Sequence, residues 1–200
     1  MTTPSLDISG AIARITLQRP EAANKLAPED ITALRAHLRD INAAEGVRVL
    51  ILQSAGKHFC SGHDLAELAA NPRSGNGFGD MVDALAACRP VTIAAVQGGA
   101  FGGGADLALA CDFRVGGPQS RVRVPPVQLG LHLYQSGLER FVSRLGLNMA
   151  RRLLLAAEPL DAANRHKNRI DIAVLSEDFH ADSSLTRNHI RIIKRRDIGQ

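Results

Sequence analysis

Residues 89–115 of the chain are RPVTIAAVQGGAFGGGADLALACDFRV, an apolar run followed by clustered glycines and then an alanine- and leucine-rich segment. The run Val91–Val96 has the length and composition of a strand that is buried on both faces. Gly102, Gly103 and Gly104 allow the backbone to approach a ligand closely, and they stand directly before a predicted helix. A strand that leads through a glycine loop into a helix favours an α/β fold. The same pattern also fits a close strand-to-helix crossing without a ligand.

A second stretch repeats this arrangement earlier in the chain. Val47–Gln53 (VRVLILQ) is another apolar run, and GKHFCSGHDLAEL (56–68) follows it with a glycine and a helix-like segment. Two outward N–H groups from two such loops can bind one developing oxyanion when both loops leave the sheet on the same side. The two stretches therefore predict neighbouring parallel strands with a backbone-built anion site between their loops.

The rest of the pattern extends the α/β prediction. Leu6–Leu17 has the alternation of a hairpin around a Ser-Gly turn, and apolar residues at helical spacing follow Pro28. Further elements are predicted as strands over 112–115 and 121–124, helices over 137–145 and 147–156, and a surface loop over 71–79. The composition changes near Asn164, after which only Ile170–Leu175 has the pattern of a strand. We expect residues 1–163 to form the domain and 164–200 to be a divergent, poorly ordered tail.

Composition and charge exclude several function classes. Of the 200 residues, 45% are hydrophobic, which is enough for one domain with a core. The net charge of +4 sits mostly in the tail, since residues 165–200 hold 8 basic against 5 acidic residues, and aromatic residues are scarce. We therefore expect no nucleic-acid partner. The three cysteines have no metal-type spacing, and no signal peptide or membrane-length apolar run is visible, so we expect a cytoplasmic protein without a metal site or membrane contact.

The two glycine stretches together resemble the crotonase superfamily, the enoyl-CoA hydratases and isomerases. The resemblance extends from about Ile12 to about Ala163 and includes RPEAANKLAPE (19–29) and GLNMARRLLLAAEPLDA (146–162). It implies a crotonase-like spiral of ββα units within the α/β class, with the helical C-terminal part incomplete. It also implies an acyl-CoA thioester substrate, no separate cofactor because coenzyme A is part of that substrate, and a homo-oligomer, either a trimer or a hexamer.

The resemblance also implies roles for individual residues. The backbone N–H groups of His63 and Gly103 match the two donors of the oxyanion hole. The residues that border the substrate are expected to be Phe59, Ser61, Gly62, Asp64, Leu65, Gly102, Gly104 and Pro126. Cys60 is expected to be a buried filler, and Asp64 a helix cap or loop brace.

The sequence departs from the family pattern at both catalytic glutamates. Asp106 stands at the first position and has a side chain one methylene shorter, while Pro126 stands at the second and has no proton to transfer. Tyr134 falls where some branches of the superfamily place a catalytic aspartate, and His132 has a pKa range suited to proton transfer. We therefore take Asp106 as the catalytic carboxylate, with Tyr134 or His132 assisting it.

Two functions remain open at this point. The first is an acyl-CoA enzyme of the hydratase or isomerase type that stabilises a thioester enolate in an oxyanion hole. The alternative is a non-catalytic acyl-CoA binder or an inactive paralogue, which Pro126 favours. Turnover of an unsaturated acyl-CoA separates the two.

Overall fold

The computed structural model describes residues 2–64, 67, 70 and 77–161, together with the backbone of 172–174. Its strands are β1 (Ser5–Ser9), β2 (Ile12–Leu17), β3 (Val49–Ser54), β4 (Val91–Val96), β5 (Gly99–Phe101), β6 (Phe113–Gly116), β7 (Arg121–Arg123), β8 (Leu160–Asp161) and β9 (Ile172–Val174). Its helices are α1 (Pro28–Ala43), α2 (Gly77–Ala86), α3 (Gly103–Ala110), α4 (Gln135–Leu145) and α5 (Leu147–Leu154). Short 3-10 helices cover Pro20–Ala22 and Val127–Leu129.

Six strands form the main sheet in the order β1-β2-β3-β4-β6-β9. Only the β1–β2 hairpin is antiparallel, and the other four pairings are parallel. In the β3–β4 pair, Val49 lies opposite Val91 and Leu52 opposite Ala94. The predicted neighbouring parallel strands are thereby confirmed, and the two glycine stretches leave the sheet at the same edge.

The central strands are apolar because both faces of the sheet are covered. Five of the six residues of β4 are buried, and Leu50, Ile51 and Leu52 of β3 are at most 2% exposed. Helices α1, α2 and α3 contribute Leu34, Leu38 and other side chains to the same core. A second buried cluster joins α3, α4 and α5 beside the small sheet β5-β7-β8. This packing fixes α3 and α4, which carry the candidate catalytic side chains.

The structure adds elements that the sequence pattern does not predict. The segment Gly99–Phe101 lies within the predicted glycine loop, yet it pairs as β5 with β7. The predicted loop over 71–79 is wrong at its end, because α2 begins at Gly77, while 71–76 lie outside the described residues. The predicted strand near Ile170–Leu175 is confirmed at Ile172–Val174, which pairs in parallel with β6. The remainder of the 164–200 tail lies outside the described residues, so the domain boundary at 163 stays a prediction.

Candidate active site

The two glycine loops contact each other directly after β3 and β4. The N–H of Phe59 donates to the carbonyl oxygen of Gly99 at 2.9 Å, and the N–H of Phe101 donates to that of Cys60 at 2.8 Å. Gly62 has a φ of +88°, and a Cβ there would lie 2.6 Å from the backbone nitrogen of Gly103. A side chain at position 62 would therefore force the two loops apart.

Three backbone N–H groups at this contact, those of His63, Gly103 and Gly104, have no hydrogen-bond acceptor among the described residues. In the first loop, the N–H groups that do donate are those of Phe59, Cys60, Ser61, Gly62 and Asp64. The N–H group of His63 donates to no acceptor among the described residues. In the second loop, Gly102 donates to Arg123, whereas Gly103 is the first residue of α3 and has no carbonyl of the preceding turn to bond. Gly104, the second residue of α3, likewise has no acceptor, so the residues that carry these unused donors flank one close contact.

Asp106 is the buried centre of a polar network beside this contact. It is 2% exposed, its Oδ1 accepts from Nε of Arg140 at 2.7 Å, and its Oδ2 accepts from the hydroxyl of Tyr134. A guanidinium NH2 group of Arg140 also donates to Asp83 of α2 at 2.9 Å, and Ser136 donates to the other oxygen of that carboxylate at 2.8 Å. The network therefore links α2, α3 and α4 through one arginine.

The charges of the network fix where its protons reside. Burial, and then the negative charge of Asp106, raise the pKa of Tyr134 well above its ordinary value. The Tyr134 phenol therefore keeps its proton at neutral pH and donates it to the carboxylate. Burial alone would lower the pKa of Arg140, but the hydrogen bonds and charges of Asp106 and Asp83 raise it, so the guanidinium stays charged. The arrangement is a carboxylate held between a cation and a neutral hydrogen-bond donor.

An aromatic column connects the loop contact to this network. The imidazole of His63 stacks on Phe78 with ring centres 5.5 Å apart and planes inclined by 15°. Phe78 in turn meets Tyr134 edge-on, at 6.4 Å between centres and 63° between planes. Burial lowers the pKa of His63, so its imidazole is neutral near pH 7. The three rings thus extend from His63 at the loop contact to the Tyr134–Asp106 pair.

The structure brings Asp106 and Tyr134 together but leaves the other assisting candidate outside the network. His132 is exposed, and within the described part of the chain its ring contacts only the carbonyl oxygen of Leu133, at 3.3 Å. Pro126 is half-buried and caps the 3-10 helix that follows it, with its carbonyl accepting from Leu129 and Leu131.

The predicted substrate-binding residues of the first loop fall into different environments. Phe59 is 0% exposed, so its side chain belongs to the core and is not available to a ligand. Ser61 and Gly62 lie at the loop contact. Asp64 instead donates its N–H to the carbonyl of Leu26, and its carboxylate pairs with Nζ of Lys25 at 2.7 Å, which fits a loop brace. Leu65 lies outside the described residues. Gly102 and Gly104 border Gly103 on the second loop.

Cys60 is a small buried side chain that occupies space in the core, as the sequence predicts. Its thiol is 0% exposed and donates to the carbonyl of Asn24, and burial raises the pKa of the thiol to about 12. A thiol with that pKa is not a nucleophile at neutral pH. Within the described part of the chain, no group of three or more His, Cys, Asp or Glu side chains is placed to hold a metal ion.

Sequence reasoning misses three residues of this site: Phe78, Asp83 and Arg140. Phe78 and Asp83 are on α2, and Arg140 is on α4, so their partners are distant in the sequence. The one local signal is the spacing within α4, where Gly137 and Arg140 are three residues apart and share a face. A Cβ at Gly137 would lie 3.1 Å from Oδ2 of Asp106, so the small residue admits the carboxylate.

Comparisons with known proteins agree with this fold. The profile of the family "Enoyl-CoA hydratase/isomerase" matches residues 7–195. The chain is 34% identical over 178 residues to "Enoyl-CoA hydratase ACTT6" of Alternaria alternata, covering 88% of this chain and 59% of that protein. It is 31% identical over 163 residues to the "Short-chain-enoyl-CoA hydratase" of Clostridium acetobutylicum, covering 78% of this chain and 62% of that protein. The chain thus spans about six tenths of the length of these two relatives.

Solved structures show the same architecture. The crystal structure of an enoyl-CoA hydratase/isomerase from Marinobacter aquaeolei superposes with a TM-score of 0.78 at 28% identity, covering 87% of this chain and 70% of that one. AtuE of Pseudomonas aeruginosa superposes with a TM-score of 0.81 at 28% identity, covering 88% and 71%. Among the residues described, no helix is long and apolar enough to cross a bilayer.

Proposed function

Because the chain belongs to the enoyl-CoA hydratase/isomerase family, we propose that it acts on an acyl-CoA thioester and stabilises the enolate oxygen between the N–H groups of His63 and Gly103. The observation that carries this proposal is the pair of backbone N–H groups without acceptors on two loops in contact. Both residues are only half-buried, so a ligand can reach this contact and supply the missing acceptor. A thioester oxygen that gains charge during the reaction is such a ligand.

The proton carrier of the proposed reaction is the Asp106–Tyr134 pair. In hydration, the oxygen of water bonds to Cβ of the enoyl group, and the π electrons move to Cα and the thioester oxygen. The water then loses one proton to Asp106, Cα gains one from Tyr134, and the Tyr134–Asp106 hydrogen bond returns the proton to the phenol. The net change is addition of one water. In isomerisation the same pair removes a proton from Cα and returns it to Cγ.

The remaining parts of the proposal rest mainly on the resemblance. The substrate supplies coenzyme A, so no separate cofactor is needed. A cytoplasmic homo-oligomer, a trimer or hexamer, is proposed for the assembly. Several large apolar side chains are about half exposed or more on the described surface, and an interface between copies would cover them. They include Val127, Leu129, Leu138, Leu147 and Leu155.

Consumption of crotonyl-CoA by the purified protein tests the proposed function. We expect slow hydration, read as loss of the absorbance of the conjugated thioester. Tyr134→Phe should lower the rate by about 10²-fold or more, because it removes the group that gives its proton to Cα. A protein that binds crotonyl-CoA without consuming it is the non-catalytic binder of the alternative. If His132→Gln loses more activity than Tyr134→Phe, the assisting role moves to His132.

Restoring an acid at position 126 should raise the hydration rate. Pro126 has φ −62° and ψ −40°, a conformation that glutamate adopts without strain, so Pro126→Glu is expected to fold. We expect the hydration rate to rise by about tenfold or more, because a general acid–base group typically increases a reaction rate by about 10²–10⁴-fold. Pro126→Gln is the matched control, since it loosens the loop equally but transfers no proton. An equal gain in both variants would show that loop mobility is responsible.

A further inference from the structure

Phe78 is the residue that touches both ends of the proposed reaction path. Its ring stacks on the imidazole of His63 and meets the ring of Tyr134 edge-on. A Cβ at Gly103 would lie 2.5 Å from Cζ of Phe78, so the tip of the ring fills the space beside the α-carbon of that glycine. The side chain is 8% exposed, and thus closely surrounded.

With the proposed function, the acyl group of a bound thioester would pass along this ring. Its carbonyl oxygen would lie at the N–H groups of His63 and Gly103, and its Cα and Cβ would face the Tyr134–Asp106 pair. The part of the acyl chain beyond Cβ then needs space alongside the same aromatic column of His63, Phe78 and Tyr134. The phenyl group of Phe78 is the large apolar side chain that the described residues place at that point.

We propose that Phe78 restricts the acyl chain, so that the site accepts a butanoyl-sized group and excludes octanoyl-sized ones. The inference rests on the proposed function and names the substrate class for the same site. Helix α2 holds the ring rigidly, since Met81, Val82 and Leu85 of that helix are at most 2% exposed in the core. Asp83 of the same helix is tied to Arg140 at 2.9 Å, which fixes α2 against α4. A rigid wall discriminates between acyl chains by their length. One methylene in an apolar pocket changes the preference for one substrate over another by about 10–200-fold.

Binding of saturated acyl-CoAs tests the inference without requiring turnover. We expect isothermal titration of the full chain to show tighter binding of butanoyl-CoA than of octanoyl-CoA. Phe78→Ala should shift the ratio of the two Kd values by at least about tenfold toward octanoyl-CoA, because it opens room for several methylenes. Phe78→Leu should give an intermediate shift and covers the case in which the alanine variant fails to fold.

The matched control is Phe113→Ala, which removes the same side chain from β6, where it is 51% exposed. This variant should leave the ratio of the two Kd values unchanged. If the leucine and alanine variants keep the wild-type ratio while binding both ligands, the inference is overturned and the proposed function stands. If the wild-type protein binds neither acyl-CoA, the proposed function fails, and the inference fails with it.

Discussion

Gly62→Ala is expected to lower turnover of crotonyl-CoA by at least about 100-fold. The new Cβ would lie 2.6 Å from the nitrogen of Gly103, 3.0 Å from its Cα and 3.1 Å from the nitrogen of Gly104. All three are backbone atoms, so no side chain can rotate away, and the two loops must separate. Removing one donor of an oxyanion site, or moving it by about 1 Å, typically lowers the reaction rate by about 10²-fold or more.

Gly146→Ala separates this effect from backbone strain. Gly146 has a φ of +80°, close to the +88° of Gly62, but a Cβ there would meet no atom within 4 Å. Both variants should lose about 1–3 kcal/mol of unfolding free energy, because a residue with a Cβ is strained at these positive φ values. Only Gly62→Ala should lose activity, measured as kcat/KM at a temperature where both variants are folded. Equal activities in the two variants would remove the loop contact from the mechanism.

Asp106→Asn is expected to reduce turnover by about 10²–10⁴-fold, because the amide keeps the shape of the side chain but accepts no proton. The same change should lower the unfolding free energy by about 3 kcal/mol, because it leaves the guanidinium of Arg140 without its buried partner. The side chains of Asp106 and Arg140 are 3% and 9% exposed, so solvent screens this pair little. Chemical denaturation measures the stability, and crotonyl-CoA hydration measures the activity.

A double variant distinguishes a catalytic Asp106 from a structural one. Asp106→Asn with Arg140→Met removes both charges, so most of the lost stability should return while the activity stays low. Asp83→Asn removes the other partner of Arg140, whose side chain is 41% exposed, and should change stability by less than about 1 kcal/mol. Recovery of turnover in the double variant would show that Asp106 is structural.

The strands of the main sheet could be predicted from the sequence because their burial determines their composition. Val91–Val96 is predicted with the bounds that the structure has, since its five buried positions require an uninterrupted apolar run. The strand Gly99–Phe101 could not be predicted in this way. Two of its three residues are small, and its pairing with Arg121–Arg123 depends on tertiary contact rather than on local propensity.

The candidate site was predictable only where a local motif encodes it. Loop glycines indicate close backbone approach, so the two loops could be predicted from the sequence. The choice of His63 and Gly103 within them came from the resemblance to the crotonase superfamily. The environment of Asp106 could not be predicted from the sequence. Its partner Arg140 is 34 residues away, and the next partner in the network, Asp83, precedes that arginine by 57 residues. Contacts of this kind arise from how helices pack, and a helix presents many charged residues that look equivalent in one sequence.

The strand order β1-β2-β3-β4-β6-β9 follows the order of synthesis. As the chain leaves the ribosome, each strand of the main sheet can join the edge formed by the one before it, and none has to insert between two strands already paired. N-terminal parts can therefore begin to fold during translation. The same order leaves β6 as an open edge from the emergence of Gly116 until Ile172 arrives to pair with Arg114. An unpaired edge strand invites intermolecular pairing, so the nascent chain is most prone to aggregation over this interval of 56 residues.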